Sequence, residues 1–366
     1  MKTQVNVSKN LSTNDFDWTS RDAKILGWYG ITKDNLKVKG SLNLGNTKIT
    51  SLPDNLKIEE DLILYYVPIT TLPENLSVGG NLDLRGTLIT SLPKGLKVGG
   101  DINLRDSQII SLSKKKKVNG YLDLGNTPIT SLPRSLKVYG SLYLDRTPII
   151  SLPENLEIGK NLFLCDSKIT SLPKNLKLGE SLILSNTPIS SLPENLKKIK
   201  GCLNLSNTKI SSLPENLEIG GDLDLYNTPI TSLPENLKIM GNLNLFYSKI
   251  SFLPKNLKVR GNLVLSNTSI TSLPEDLEVG RSLYLGNSKI TSLPENLEIG
   301  GDLDLYNTPI TSLPENLKIM GNLSLINTDI IFLPKNLAVG GNLYLRGTLV
   351  TSLPKTLKVG GEIYMN

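Results

Sequence analysis

The sequence contains no histidine, and among its 366 residues there are only two alanines, two glutamines and two cysteines. Without histidine the chain lacks the commonest general base, the partner of Ser-His and Cys-His nucleophile pairs and the commonest metal ligand. The scarcity of strong helix formers, beside 30 glycines and 21 prolines, argues against a helical bundle or a helical solenoid. We therefore predict a protein that is not an enzyme, holds no metal and uses no cofactor.

Cysteines and long apolar runs are equally scarce. Cys165 and Cys202 are too few for a disulfide framework or a structural zinc site, which indicates a reducing compartment. Residues 1–20 mix Lys, Asn, Asp and Ser without an apolar signal, and no run of 18 apolar residues occurs. The sequence predicts a soluble cytoplasmic protein, while secretion as an effector by a specialised route stays open.

A twenty-residue pattern repeats along most of the chain. From Leu42 to residue 362 the sequence follows L-x-L-x-x-T-x-I-x-x-L-P-x-x-L-x-V-x-G-x through sixteen repeats. One repeat, which begins at Leu182, carries an extra lysine. We number the positions of each repeat 1 to 20 from its first leucine. Self-similarity of this kind is typical of a solenoid, in which each coil buries its apolar side chains against the next coil.

The leucines and prolines indicate where the strand lies. Leu at positions 1 and 3 has the two-residue period of a short strand with one buried face, and six aliphatic positions per repeat supply an interior. Every proline falls at position 12 or position 7, where the missing N–H indicates a turn or an extended connector. We predict a mostly β solenoid with one parallel sheet on a concave face and an irregular convex side of turns.

A right-handed parallel β-helix is the alternative fold, in which V-x-G-x-L-x-L would form one long strand with the position 19 glycine facing inward. Four repeats carry a charged residue there, namely Glu60, Lys160, Glu180 and Arg281. Charged side chains at that density do not fit a stacked aliphatic core. The pattern therefore favours a surface turn at the glycines and a leucine-rich-repeat coil.

The segment Ile230-Thr-Ser-Leu-Pro-Glu-Asn-Leu-Lys-Ile-Met-Gly-Asn-Leu-Asn-Leu resembles the short bacterial leucine-rich repeat that contains L-T-x-L-P, as in the secreted LPX-type effectors of enteric pathogens. The likeness covers residues 42–366, and P-x-x-L-x-V-G-G looks closer to uncharacterised repeat proteins of bacteria and their phages. The resemblance implies a leucine-rich-repeat fold. Where that family has a ladder asparagine, position 6 holds Thr or Ser in fifteen repeats and Val67 in one, and we expect a ladder of hydroxyls along the stack.

The two ends of the chain differ. Residues 1–41 are predicted to form an N-terminal cap whose short helix begins after Ser20 and ends at Gly27. Four aromatic residues surround this helix, and an aromatic docking site is the alternative interpretation: Phe16, Trp18, Trp28 and Tyr29. Residues 42–366 hold the sixteen repeats and an incomplete seventeenth with no evident C-terminal cap, so we expect a homodimer through this end, a capping partner or a shortened gene.

Tyrosine is concentrated at positions that flank the strand leucines. Ten of the twelve tyrosines lie at positions 20, 2, 4 and 5, which we expect to point out from the concave face. High strand propensity explains this enrichment as well as binding does, but tyrosine beside arginine and aspartate is typical of protein-binding faces. The predicted binding residues are Tyr65, Tyr66, Arg85, Arg105, Tyr143, Phe163, Tyr226, Phe246, Tyr247, Tyr284, Tyr306 and Tyr344.

Positive charge is concentrated between Arg85 and Arg146, where eleven Lys or Arg accompany four Asp. Within this segment Ser113 replaces the position 12 proline and Lys116 replaces a core leucine, so we expect a loose coil there. The connector side is predicted to carry a basic patch that consists of Lys94, Lys97, Lys114, Lys115, Lys116, Lys117, Arg134 and Lys137. Elsewhere we expect Lys at position 16 to pair with Glu at position 13, as Lys238 with Glu235.

The predicted function is a non-enzymatic scaffold that binds a protein partner through the concave face. The first alternative is a binder of nucleic acid or of an anionic surface through the basic patch in residues 85–146. The second, which the resemblance implies, is an effector that acts on host signalling proteins.

Overall fold

The computed structural model describes residues 16–112, 117–295 and 297–365. The chain divides into two compact parts, which we call the N-terminal body (Met1–Tyr143) and the C-terminal body (Leu144–Asn366). Within the described ranges there is one helix, α1 (Arg21–Gly27), and no helix is long and apolar enough to cross a bilayer.

Positions 1 and 2 of each repeat form a two-residue strand, and these strands pair in parallel with the equivalent strands of neighbouring repeats. We call this the first sheet. In the N-terminal body its strands are Leu42–Asn43, Leu62–Ile63, Leu82–Asp83, Ile102–Asn103, Leu122–Asp123 and Leu142–Tyr143. In the C-terminal body they are Leu162–Phe163, Leu182–Ile183, Leu203–Asn204, Leu223–Asp224, Leu243–Asn244, Leu263–Val264, Leu283–Tyr284, Leu303–Asp304, Leu323–Ser324, Leu343–Tyr344 and Ile363–Tyr364.

Positions 16 and 17 form another short parallel strand, which adds to the single sheet expected from the sequence. We call these strands together the second sheet, although among the described residues their pairing is interrupted between Lys97–Val98 and Lys117–Val118 and between Lys177–Leu178 and Lys198–Ile199. In the N-terminal body they are Lys37–Val38, Lys57–Ile58, Ser77–Val78, Lys97–Val98, Lys117–Val118 and Lys137–Val138. In the C-terminal body they are Glu157–Ile158, Lys177–Leu178, Lys198–Ile199, Glu218–Ile219, Lys238–Ile239, Lys258–Val259, Glu278–Val279, Glu298–Ile299, Lys318–Ile319, Ala338–Val339 and Lys358–Val359.

The aliphatic side chains form the interior, as the repeat predicts. In the first repeat the six expected residues are all buried, with exposed fractions of 0–5%: Leu42, Leu44, Ile49, Leu52, Leu56 and Ile58. The charged residues at position 19, Glu60, Lys160, Glu180 and Arg281, are all exposed in a bend between the two strands. The prediction of a mostly β parallel solenoid with a surface turn at position 19 is therefore confirmed.

Backbone hydrogen bonds join equivalent positions of successive repeats. In the first repeat the N–H groups of Leu42, Leu44 and Asn46 donate to the carbonyls of Asp61, Ile63 and Tyr65, at 2.8–2.9 Å. The N–H at position 1 thus donates to the carbonyl at position 20 of its own repeat, and the N–H groups at positions 3 and 5 donate to the carbonyls at positions 2 and 4 of the following repeat. This ladder sets the register at one repeat length.

Position 20 carries a second ladder, formed by side chains. In fourteen repeats the N–H of the position 20 residue donates to a side-chain oxygen or sulfur one repeat length earlier, over 2.7–3.4 Å. Thirteen of these acceptors are Asp, Asn, Ser or Cys side chains at position 20 of the preceding repeat, and the other is Ser41, which precedes the first repeat. Asn262 N, for example, lies 2.7 Å from Asn242 Oδ1. Cys202 belongs to this ladder, because its Sγ accepts from Asp222 N at 3.4 Å.

The hydroxyl ladder expected at position 6 is wrong. In eleven repeats the threonine Oγ1 donates to the position 3 carbonyl of its own repeat, at 2.6–2.8 Å. The local bond wins because the chain turns sharply after position 5 and brings that carbonyl within reach. The four serines at this position, Ser107, Ser167, Ser248 and Ser288, have buried hydroxyls without a hydrogen-bond partner among the described residues.

Helix α1 is attached to the first repeats through one carboxylate. Ser20 is its N-cap, since the Ser20 Oγ accepts from Ala23 N at 3.1 Å. Asp22 is buried, and its Oδ2 accepts from the N–H and hydroxyl groups of both Thr50 and Ser51 at 2.9–3.0 Å. The helix lies where the sequence predicts it, while the division into a cap and a repeat domain stays a prediction.

Replacing the position 6 serines with threonine should stabilise the protein. Each of Ser107→Thr, Ser167→Thr, Ser248→Thr and Ser288→Thr supplies a hydroxyl held in the bonding rotamer, and we expect a gain of about 1 kcal/mol in the free energy of unfolding. Thr228→Ser is the matched reverse change and should lose a similar amount. Urea titration followed by circular dichroism measures both. Serine variants more stable than their threonine counterparts would contradict the local hydrogen bond.

Candidate binding site

The positions that flank the strand leucines do not form one uniform binding face. Positions 20 and 2 are largely used by the fold. All eight Asn or Asp residues at position 2 accept, through Oδ1, from the N–H at position 4 of the same repeat, at 2.8–3.1 Å. The aspartates at position 2 therefore satisfy backbone N–H groups that the ladder leaves free, although their charges beside the tyrosines favoured a binding face. They are Asp83, Asp123, Asp224 and Asp304.

Position 5 has a left-handed backbone in all sixteen repeats, with φ between 52° and 73°. Nine repeats have Asn there, two have Asp and two have Gly, which are the residues that adopt this conformation most readily. The other three have Tyr66, Arg146 and Tyr247, and a bulky side chain in this region costs roughly 1–2 kcal/mol. Position 5 therefore lies in a turn that follows the strand.

Tyr247 belongs to a cluster of three aromatic rings in the C-terminal body. The rings of Tyr226 and Phe246 are stacked with an interplanar angle of 10° and centroids 5.8 Å apart. The Tyr247 ring stands edge-on to both, with centroids 4.5 Å from Phe246 and 6.2 Å from Tyr226. Tyr226 and Phe246 are half-buried, whereas Tyr247 is 53% exposed. We call these three residues the aromatic cluster.

Asp224 lies under the aromatic cluster and helps to place it. Its Oδ1 accepts from Tyr226 N and from Asn244 Nδ2, each at 3.0 Å. Burial raises the pKa of this carboxyl above its ordinary value, and the two hydrogen bonds oppose the rise. Asp224 therefore fixes the backbone beneath Tyr226 rather than offering a free charge to a ligand.

Tyr65 and Tyr66 form the corresponding group in the N-terminal body. Their ring centroids are 6.1 Å apart and perpendicular, and the guanidinium of Arg85 lies 5.6 Å from the centroid of Tyr65. Arg85 also makes a bidentate ion pair with Asp83, at 2.7–3.1 Å. This hydrogen-bonded contact raises the pKa of Arg85 above its ordinary value. Tyr66 is 62% exposed.

The remaining predicted binding residues lie apart from the aromatic cluster. Tyr143, Phe163, Tyr284 and Tyr344 occupy position 2 and are half-buried strand residues, so strand propensity accounts for them. Arg105 reaches Asp123 at 3.4 Å. Tyr306 sits in a 32-residue segment, 292–323, that is identical to 212–243, so it is the counterpart of Tyr226. Among the described residues Tyr306 has no ring contact, since the next repeat offers Ile326 and Asn327 in place of Phe246 and Tyr247.

The basic patch lies on the side of the repeat that carries the second sheet. Lys97, Lys117 and Lys137 are on its strands at position 16, and Lys94 and Arg134 are in the turn at position 13; all five are exposed. Lys114, Lys115 and Lys116, and with them the loose coil expected at this point, lie outside the described residues. The ammonium of Lys117 is 4.9 Å from the ring centroid of Tyr139.

In the C-terminal body, ion pairs along position 16 join neighbouring repeats. Glu157 meets Lys177 at 2.9 Å, Glu218 meets both Lys198 and Lys238 at 3.3 and 3.0 Å, and Lys258 meets Glu278 at 2.5 Å. The pairing of Lys238 with Glu235 expected from the sequence is therefore wrong. Strand register brings position 16 of one repeat beside position 16 of the next, nearer than the turn residue of its own repeat.

No family model matches the chain, and no curated protein sequence matches it either. Solved structures do match. A leucine-rich-repeat protein of Leptospira interrogans superposes with a TM-score of 0.53 at 23% identity, over 87% of this chain and 92% of that one. YopM, a leucine-rich effector protein from Yersinia pestis, superposes with a TM-score of 0.51 at 21% identity, over 89% and 88%.

A chain of the Toll–Spätzle complex of Drosophila also matches, with a TM-score of 0.50 at 19% identity, over 74% of this chain and 48% of that one. At these identities the likeness concerns the fold alone. Together with the strands described above, it shows that the chain has the leucine-rich-repeat fold, with two short parallel strands in each coil.

Asparagine at the three exceptional position 5 sites should relieve backbone strain by different net amounts. Arg146→Asn should raise the free energy of unfolding by about 1 kcal/mol, because the backbone strain is relieved and only an exposed arginine side chain is removed. Tyr66→Asn should gain less, since it loses one ring contact, and Tyr247→Asn should be near neutral, since two ring contacts worth about 0.5–1.5 kcal/mol each are lost. Urea titration gives the order. A clear loss of stability in Arg146→Asn would contradict the account of position 5.

Proposed function

We propose that the chain is a non-enzymatic scaffold that binds a protein partner through the outer face of the first sheet, with the aromatic cluster at the centre of the interface. The observation that carries this proposal is Tyr247. It holds a large, half-exposed ring in a left-handed turn that nine repeats fill with asparagine. Tyrosine brings the fold no net gain at this position, because its two ring contacts only offset the backbone strain that asparagine avoids.

The chemistry of the cluster supports a protein partner. Interfaces draw most of their binding energy from a few aromatic and arginine side chains in a desolvated centre. Tyr226 and Phe246 are half-buried by their neighbours and so lose little rotamer freedom on binding. A chain with this fold belongs to the complex of Toll with Spätzle, and YopM is an effector protein.

Kinship with LPX-type effectors, or with repeat proteins of bacteria and phages, stays a prediction, as do the cytoplasmic location, the action on host signalling proteins and the homodimer. Tyr65, Tyr66 and Arg85 are proposed as a separate contact group in the N-terminal body. Its tyrosines lie at positions 4 and 5, as do Phe246 and Tyr247.

A variant with Tyr226→Ala, Phe246→Ala and Tyr247→Asn should lose the partner while keeping the fold. We expect at least a thirtyfold weaker Kd, which corresponds to the loss of about 2 kcal/mol at an interface centre. The partner is captured from lysate with the wild-type protein, identified and purified, and its Kd for each variant is then measured by isothermal titration calorimetry.

Tyr306→Ala is the matched control, since Tyr306 lies in the identical duplicated segment but has no aromatic neighbours. This variant should bind within a fewfold of wild type. Equal affinity of the triple variant and the wild-type protein for the purified partner would overturn the proposed site.

A further inference from the structure

The second sheet of the N-terminal body has an uncompensated positive surface. Over the repeats that contain Lys94, Lys97, Lys117 and Arg134, positions 13, 16 and 18 hold no acidic residue. Among the described residues these four cations have no ion pair, and each is exposed. Three aspartates of these repeats are hydrogen-bonded beside the first sheet: Asp101 accepts from Tyr121 N, Asp106 from Asn126 Nδ2, and Asp123 from Gly125 N.

The fold does not require this charge. Position 16 is Ser77 in one repeat, Ala338 in another and glutamate in several repeats of the C-terminal body, where it pairs with lysine. In the N-terminal body Lys117 lies in register with Lys137, and like charges on adjacent strands are unfavourable. A row of like charges that the fold does not require is a surface suited to an anionic partner.

Tyr139 narrows the class of anion. It occupies position 18, where the repeats of Gly79 and Gly99 have no side chain, and it is 53% exposed. Its ring lies beside the Lys117 ammonium. A nucleotide carries a phosphate and a base on one sugar, so neighbouring cation and ring fit one nucleotide of an unpaired strand. In a duplex the base faces are covered, and an acidic peptide makes no use of the ring.

We propose that Lys94, Lys97, Lys117, Arg134 and Tyr139 form a binding surface for single-stranded nucleic acid. The cations follow the phosphates from one repeat to the next, and the ring of Tyr139 stacks on a base. This surface is on the second sheet and does not depend on the aromatic cluster, so either proposal can fail while the other stands.

The test is fluorescence anisotropy of a labelled oligo(dT) of about 20 nucleotides with the full chain, over a series of salt concentrations. Contact of four cations with phosphates predicts a slope of about −3 in log K against log salt. Lys97→Ser with Lys117→Ser should lower this slope by about 1.4 and weaken binding. Lys177→Ser with Lys318→Ser makes the same charge change at position 16 of the C-terminal body and should leave the slope unchanged.

Tyr139→Gly separates a single strand from other anions. It should weaken binding of oligo(dT) about tenfold without changing the salt slope, because stacking and not charge is lost. Circular dichroism and urea titration confirm that each variant is folded. The proposal is overturned by absence of oligo(dT) binding at low salt, by equal losses in the two lysine pairs, or by unchanged affinity of Tyr139→Gly. Tighter binding of duplex DNA, polyglutamate or phosphatidylserine vesicles than of oligo(dT) would also overturn it.

Discussion

Hydrogen bonds between equivalent positions of successive repeats are the interaction on which the rest of this chain depends. The N–H groups at positions 3 and 5 donate to the backbone of the next repeat, the N–H at position 1 donates to the last residue of its own repeat, and the N–H at position 20 donates to a side chain of the preceding repeat. Because this register places each residue on its own equivalent, leucine stacks on leucine and one aliphatic core runs through each body. The same register sets the left-handed turn at position 5 wherever it recurs.

The residues proposed for binding depart from what their positions in the repeat need. Tyr247 stands where asparagine is easier for the backbone, and Lys97 and Lys117 stand at a position that is glutamate in several repeats of the C-terminal body. The aspartates at position 2 are charged and face outward, yet they satisfy backbone N–H groups and follow the structural rule. In a repeat protein the equivalent residues of the other repeats show what the fold requires. A residue that is less favourable for stability than those equivalents is therefore a candidate for binding, and one that matches them is structural.

The sequence predicted the elements that depend on the burial of apolar side chains and on the backbone conformations that particular residues allow. Leu42 and Leu44 marked the strand, proline at positions 7 and 12 marked the connectors, Arg281 placed position 19 in a surface turn, and Ser20 marked the start of α1. It did not predict which acceptor a polar group would choose. The Thr47 hydroxyl bonds to Leu44 within its own repeat, and position 20, assigned to the binding face, carries the side-chain ladder. The choice of hydrogen-bond acceptor depends on the local direction of the backbone. The asparagines at position 5, by contrast, indicate a positive φ in the sequence itself.

Residue-resolved hydrogen exchange tests most directly whether the ladders hold the repeats together. The account predicts that the N–H groups of Asn262 and Asn342 at position 20 are protected as strongly as those of Leu245 and Leu325 at position 3. In Asn242→Ala, the Asn262 N–H loses its acceptor and should exchange faster, while Asn342, whose acceptor Asn322 is intact, serves as the internal reference. If the position 20 N–H groups of the wild-type protein exchange as fast as the N–H groups in its exposed turns, the account is contradicted.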